Sequence, residues 1–219
     1  MKERPIIFSA PMVRAILNGR KTQTRRVVQL TDSGRVKEPG SPRNWHLDDP
    51  EAVLACPYGV PGNRLWVRER WQLVDPLEVA EERRGSRAPF TGCQGPRAIP
   101  WVAAYRADGD LSHPANGAPI VWRSPVHMPR WASRITLEIV SVRVERLQEI
   151  SAKDVLAEGA LEFDGPTTFI HDGSQAIYFP SMGYAQIAFC DLWDSINAKR
   201  APWGSNPWVW VIEFRRIDA

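Results

Sequence analysis

Lysine is scarce in this chain: five lysines stand against 23 arginines in 219 residues. Cysteine is scarcer still. Cys56, Cys93 and Cys190 are odd in number and far apart, which argues against a disulfide framework and fits a reducing compartment. There is no Cys-x-x-Cys pair, and His46, His113, His127 and His171 never recur at a one-turn spacing, so no structural zinc is expected. No apolar run approaches the roughly 18–20 residues of a membrane span. The opening MKERPIIFSAPMV is too short and too broken by proline for a secretory leader. Internal repeats are also missing. These absences predict a cytoplasmic monomer with no cofactor, no metal and no membrane partner.

What is present is aromatic and strand-rich. Ten tryptophans point to a dense core or to flat surfaces on which bases could stack. The net charge of +3 is only a weak pull toward anions. RPIIF reads as a first strand. SAPMVRAILNG reads as a helix, with Ser9 as cap, Pro11 in the first turn, Met12, Ala15 and Ile16 on one face, and Gly19 as the stop. TQTRRVVQL is extended. RLWVRERW alternates as one strand, with Leu65, Val67, Glu69 and Trp71 on one face and Trp66, Arg68 and Arg70 on the other. Glu69 then points inward and needs a partner there, because a lone buried charge is costly.

Further on, SRITLEIVSVRVERL is the longest strand signal. SAKDVLAEG is a short helix with a Ser151…Asp154 cap and Gly159 as its stop. YAQIAFCDLWDSINAK is an amphipathic helix presenting Ala185, Ala188, Phe189, Leu192, Trp193 and Ile196, and NPWVWVIEF closes as a strand with Trp208, Trp210, Ile212 and Phe214 on one side. The expected fold is mixed α/β, mainly β. It is a single domain over residues 1–219, a compact, closed β-structure of five or more strands decorated by helices. Loop insertions are expected at about 75–120 and 160–183, the second a possible lid.

Three residues carry candidate chemistry. Lys21 is an amine in a neighbourhood that otherwise uses arginine, and lysine, unlike arginine, can lose its proton. Thr24 follows three residues later. Glu158 lies in the last turn of a helix, where the dipole disfavours an anion and biases its pKa upward, as an acid or base requires. A plainer alternative is that Arg20 and Lys21 complement the C-terminal end of the helix before them.

PIIFSAPMVRAILNGRKTQTRR resembles the signature of the ASCH domain, a relative of the PUA fold, whose pattern Gly-x-Lys-x-x-(Glu or Thr)-x-Arg falls on Gly19, Lys21, Thr24 and Arg26. LQEISAKDVLAEGA and VWVIEFRRI are similar to the family's later helix and closing strand. RLWVRERW and MPRWASRITLEI are similar to a larger subgroup found in phages and prophages. The resemblance implies a PUA-like β-barrel of about six strands with flanking helices, and a cleft near the first helix for a nucleoside or single-stranded nucleic acid. One branch of the family consists of amidohydrolases that deacylate N4-acetylcytidine. Their lysine, threonine and glutamate correspond to Lys21, Thr24 and Glu158, although this chain is about twice as long.

On that resemblance Lys21 is the base, Thr24 the nucleophile and Glu158 the acid, and Arg26 or a backbone N–H holds the oxyanion. Gly19, Arg26, Trp66, Arg68, Glu69, Trp131 and Arg134 are the expected substrate-binding residues. The rival expectation is a non-catalytic RNA or modified-DNA binding module, with Trp66, Arg68, Trp131 and Arg134 stacking on bases and holding phosphates. A ribonuclease in the same cleft is a third. Lys21 and Glu158 could equally form a structural ion pair.

Overall fold

The structure is a computed structural model and describes residues 1–75, 84, 87–91, 100–110, 120–160, 167–171, 174–178 and 182–217. In chain order the strands and α-helices are β1 (Glu3–Ile7), α1 (Ala10–Leu17), β2 (Gln23–Val27), β3 (Val36–Lys37), β4 (Asn44–Trp45), β5 (Arg64–Arg68), β6 (Trp71–Val74), β7 (Arg87–Thr91), β8 (Pro100–Tyr105), β9 (Thr136–Arg146), α2 (Ala152–Ala157), β10 (Thr167–His171), β11 (Ser174–Tyr178), α3 (Met182–Asn197) and β12 (Trp208–Ile217). The chain is therefore mixed α/β and mostly strand. One sheet has five strands in the order β1-β5-β9-β12-β2; β6-β8-β7 form a second, and β3-β4 and β10-β11 are hairpins. Among the described residues no pairing of β1 with β2 closes the large sheet.

Backbone contacts divide the chain into two compact units, each discontinuous in sequence: 1–18 with 61–139 and 215–219, and 19–60 with 140–214. In the first, β1 runs parallel to β5 with Glu3 opposite Arg64, and β5 runs antiparallel to β9 with Arg64 opposite Glu138. Trp71, Ala103, Tyr105, Met128 and Ala132 form a core cluster there. In the second, β12 runs antiparallel to β2, with Val209 opposite Val27 and Glu213 opposite Gln23. Its core joins Leu147, Ile150, Val155, Phe189, Trp193, Val209 and Val211.

Several sequence expectations change at this level. RLWVRERW is two strands, not one: β5 stops at Arg68 and β6 starts at Trp71. The reason is pairing. β5 is hydrogen-bonded to β1 through Arg68, whereas Trp71 opposite Tyr105 begins the pairing of β6 with β8. Within 75–120, β7 and β8 supply two strands of the second sheet; residues 76–83, 85–86, 92–99 and 111–119 lie outside the description. Much of the lid expected at 160–183 also lies outside it. β12 is buried on both faces, Val209 and Val211 as fully as Trp210 and Ile212, because it is flanked by β9 and β2 and covered by the helical cluster. That cluster stops at Trp193, so Ile196 near the end of α3 stands exposed. No helix among the described residues is long and apolar enough to cross a membrane.

Candidate functional site

The second unit holds the residues of the motif. Gly19, at φ +71°, turns the chain after the C-cap Asn18 of α1. A Cβ there would meet nothing within 4 Å, so the position calls for glycine's backbone freedom and not for space. Downstream, α2 is capped by Ser151, whose hydroxyl accepts from the Asp154 N–H at 3.1 Å and donates to Asp154 Oδ2 at 2.9 Å. Its C-cap is Glu158, followed by Gly159 at φ +68°. The Thr22 N–H donates to the Ala157 carbonyl at 2.9 Å. That bond lays the start of β2 beside the end of α2.

Lys21 and Glu158 meet there. The Lys21 Nζ donates to Glu158 Oε2 and to the Glu158 backbone oxygen, each at 2.8 Å. The amine thus neutralises the carboxylate that the dipole of α2 disfavours, and also satisfies a terminal carbonyl of that helix. It caps α2, and not the helix before it. The Lys21 side chain is wholly buried. Burial pushes its pKa below the usual lysine value; the charge and hydrogen bond of Glu158 oppose the shift, while Arg26 and Arg25 add to it.

Beside the pair lies a charged network that the sequence reading did not single out. Arg25 donates from one guanidinium nitrogen to Glu158 Oε1 at 3.1 Å and from the other to Glu145. Asp154 stands 3.4 Å from that second nitrogen, and the Phe189 ring lies 5.8 Å from the guanidinium carbon. Arg143 extends the network to Glu145 at 3.0 Å, Asp154 at 3.2 Å and Glu213 at 2.6 Å. Burial alone would raise the Asp154 pKa, but the Ser151 hydrogen bond and the charges of Arg25 and Arg143 bring it below its ordinary value. One signal for this network was available in TQTRRV: in a strand, Gln23 and Arg25 share a face.

By the same alternation Thr24 and Arg26 take the other face of β2. Thr24 is buried and sits opposite Ile212, and Arg26 sits opposite Trp210. No hydrogen bond joins the Thr24 hydroxyl to Lys21 or Glu158. Arg26 lies 5.9 Å from the centroid of Tyr58. Tyr58, Trp210, Gln29, Thr31 and Lys37 help line a cavity of about 510 Å3, and a smaller hollow of about 260 Å3 is walled by Thr22, Gln23, Lys153, Asp154, Glu213 and Phe214. Lys21, Thr24 and Glu158 line neither. Lys21 and Glu158 are brought together, and no hydrogen bond draws Thr24 to either of them.

The other expected substrate-binding residues belong to the first unit, where each engages another residue of the chain. Glu69 is buried and finds the partner it needs: Arg134 donates to its two oxygens at 2.9 and 3.1 Å. Arg134 also reaches Asp108 at 2.8 Å and lies 4.0 Å from the Tyr105 ring centroid. Burial works against that guanidinium's charge, but Glu69 and Asp108 outweigh it and raise its pKa. Trp131 packs edge-on against Trp71 at 6.0 Å, and Trp66, itself buried, has Arg68 over its ring at 4.6 Å. No group of three or more His, Cys, Asp and Glu residues that could hold a metal ion occurs among the described residues. Comparison with protein-family models, with curated proteins and with solved structures finds no match.

Proposed function

We propose that this chain is an ASCH-type, PUA-like barrel protein of the bacterial cytoplasm. Its activity is that of an amidohydrolase removing an acyl group from N4-acylated cytidine or a related base. The observation that carries the reading is the Lys21–Glu158 contact, a buried amine of lowered pKa bonded at 2.8 Å to a buried carboxylate. A lysine whose pKa is lowered gives up its proton more readily and can then serve as base, and the proton it takes from the nucleophile can pass through the Glu158 carboxylate to the leaving amine. Thr24 is the nucleophile implied by the family resemblance, and it is buried on the face of β2 opposite Arg25.

The test is deacylation of N4-acetylcytidine, free and within an oligonucleotide. Lys21→Met and Glu158→Gln are each expected to lower kcat by about 100- to 10,000-fold, the usual worth of a general acid or base. Thr24→Val should abolish turnover and leave the fold intact. A wild-type chain without activity on either substrate sinks the hydrolase reading.

A second reading rests on the lack of a hydrogen bond between Thr24 and Lys21. In it the ion pair is structural, and the chain binds a nucleoside or single-stranded nucleic acid without chemistry. The cavity lined by Tyr58 and Lys37 would then take the base and phosphate. Oligonucleotide binding that weakens steeply with salt, without turnover, selects this reading.

A further inference from the structure

Arg25 occupies a motif position that the ASCH pattern leaves open, yet of the two arginines in TQTRRV it is the one that enters the charged interior of the second unit. Its side chain has no solvent exposure, and it faces acids from two elements: Glu145 on β9, and Asp154 and Glu158 on and beside α2. Gln23 on its own strand, its amide oxygen turned toward the guanidinium, accepts from Arg25 at 3.0 Å. Phe189 of α3 closes the remaining side. Lys21 faces Glu158, with Arg25 and Arg26 as the neighbouring cations.

The two oxygens of Glu158 are thereby divided. Oε2 accepts from Lys21 and Oε1 from Arg25. A carboxylate shared between two cations is less available to either than one held exclusively. Arginine suits such a post, because it stays charged at any pH a protein meets and its fork is rigid.

We propose that Arg25 is a positioning residue. It pins one oxygen of Glu158 so that the other meets Lys21 at a fixed point, and its permanent charge, anchored by Glu145 and Asp154, keeps the Lys21 amine poised to release its proton. As a statement about catalysis this rests on the hydrolase reading; as a statement about how Lys21 is held it stands without that reading. With Arg25 gone, Glu158 belongs to Lys21 alone and the amine keeps its proton to higher pH. With Glu145 neutralised, Arg25 draws harder on Glu158 and the amine lets go earlier.

The experiment is a pH titration of lysine side chains by NMR in the full-length protein. The chain has only Lys2, Lys21, Lys37, Lys153 and Lys199 to resolve, and Lys21→Met assigns the buried one. Arg25→Gln should move the Lys21 midpoint upward, Arg25→Lys should return it toward wild type, and Glu145→Gln should move it downward. A Lys21 midpoint unchanged in a folded Arg25→Gln protein overturns the proposal. Should that variant fail to fold, an unchanged midpoint in Glu145→Gln does the same. Where turnover of N4-acetylcytidine is found, Arg25→Gln should also shift the acid limb of the kcat profile to higher pH and leave KM in place. Absence of turnover removes the catalytic reading alone, since the NMR midpoints report on Arg25 independently.

Discussion

Two adjacent arginines show how much a single position decides. Arg25 is buried among acids, whereas Arg26 lies near Tyr58 and is only partly buried. The Lys21–Glu158–Arg25 triangle also makes the loss of its members unequal. Glu158→Gln leaves Lys21 buried against a neutral amide and Arg25 with Glu145 and Asp154 alone, and is expected to destabilise the protein by about 3–5 kcal/mol. Lys21→Met removes a charge but leaves Glu158 with Arg25, so its effect should be nearer about 1–3 kcal/mol, that of an orphaned acceptor. Urea unfolding of both variants checks the order, and a larger loss for Lys21→Met would contradict a shared carboxylate. In the sequence, Lys21 and Glu158 could be linked only through the family resemblance. The hand-off to Arg25 could not be read, because it depends on which face of β2 meets α2, a matter of pairing between segments more than a hundred residues apart.

At the scale of elements, α2 matters beyond its six residues. It presents Asp154 in its first turn and Glu158 at its end, and Ser151 fixes where it starts. Ser151→Ala is expected to cost about 0.5–2 kcal/mol, as for other lost N-caps. Because the Ser151 hydroxyl also lowers the Asp154 pKa, the same variant should raise the Asp154 titration midpoint, which carboxyl NMR would read. A fall in stability with no movement of Asp154 would mean that the cap alone matters. The cap and stop of this helix were legible in SAKDVLAEG, as were β1, α1, β9 and β12, since local pattern encodes them. The break in RLWVRERW was not legible. Its alternation runs unbroken through Glu69, and only the change of partner from β1 to β8 ends the first strand. Strand count pointed to a closed β-structure, and a count does not say which strands become neighbours.

For the molecule as a whole, Lys21 and Asp154 contribute to the pH response with one sign, opposed above their ordinary values by Glu69 and Cys190, whose pKa values burial raises. Lys21 has a pKa below its ordinary 10.5. Between its folded value and 10.5 the unfolded chain holds a proton that the folded chain has released, so stability rises with pH across that window. Asp154, lowered from its ordinary 3.8, contributes stability above that pH which is lost as pH falls through the folded value. Thermal midpoints across the two ranges should therefore rise with pH at each end. The alkaline rise should vanish in Lys21→Met and the acid loss should shrink in Asp154→Asn; an alkaline rise that survives in Lys21→Met would assign it to another group.

The alternation of β2 has one more consequence, for how this protein can change over generations. Among the described residues β2 is the edge strand of its sheet and pairs on one side, with β12, and the register of an edge strand is the less firmly fixed for it. Here a slip by one residue would turn Thr24 toward α2 and Arg25 away from its three acids. Conservative substitutions on the Thr24–Arg26 face should leave the fold intact, while a single inserted or deleted codon between Thr22 and Val27 should not. The run TQTRRV behaves as a ratchet, and its spacing should outlast much of its lettering.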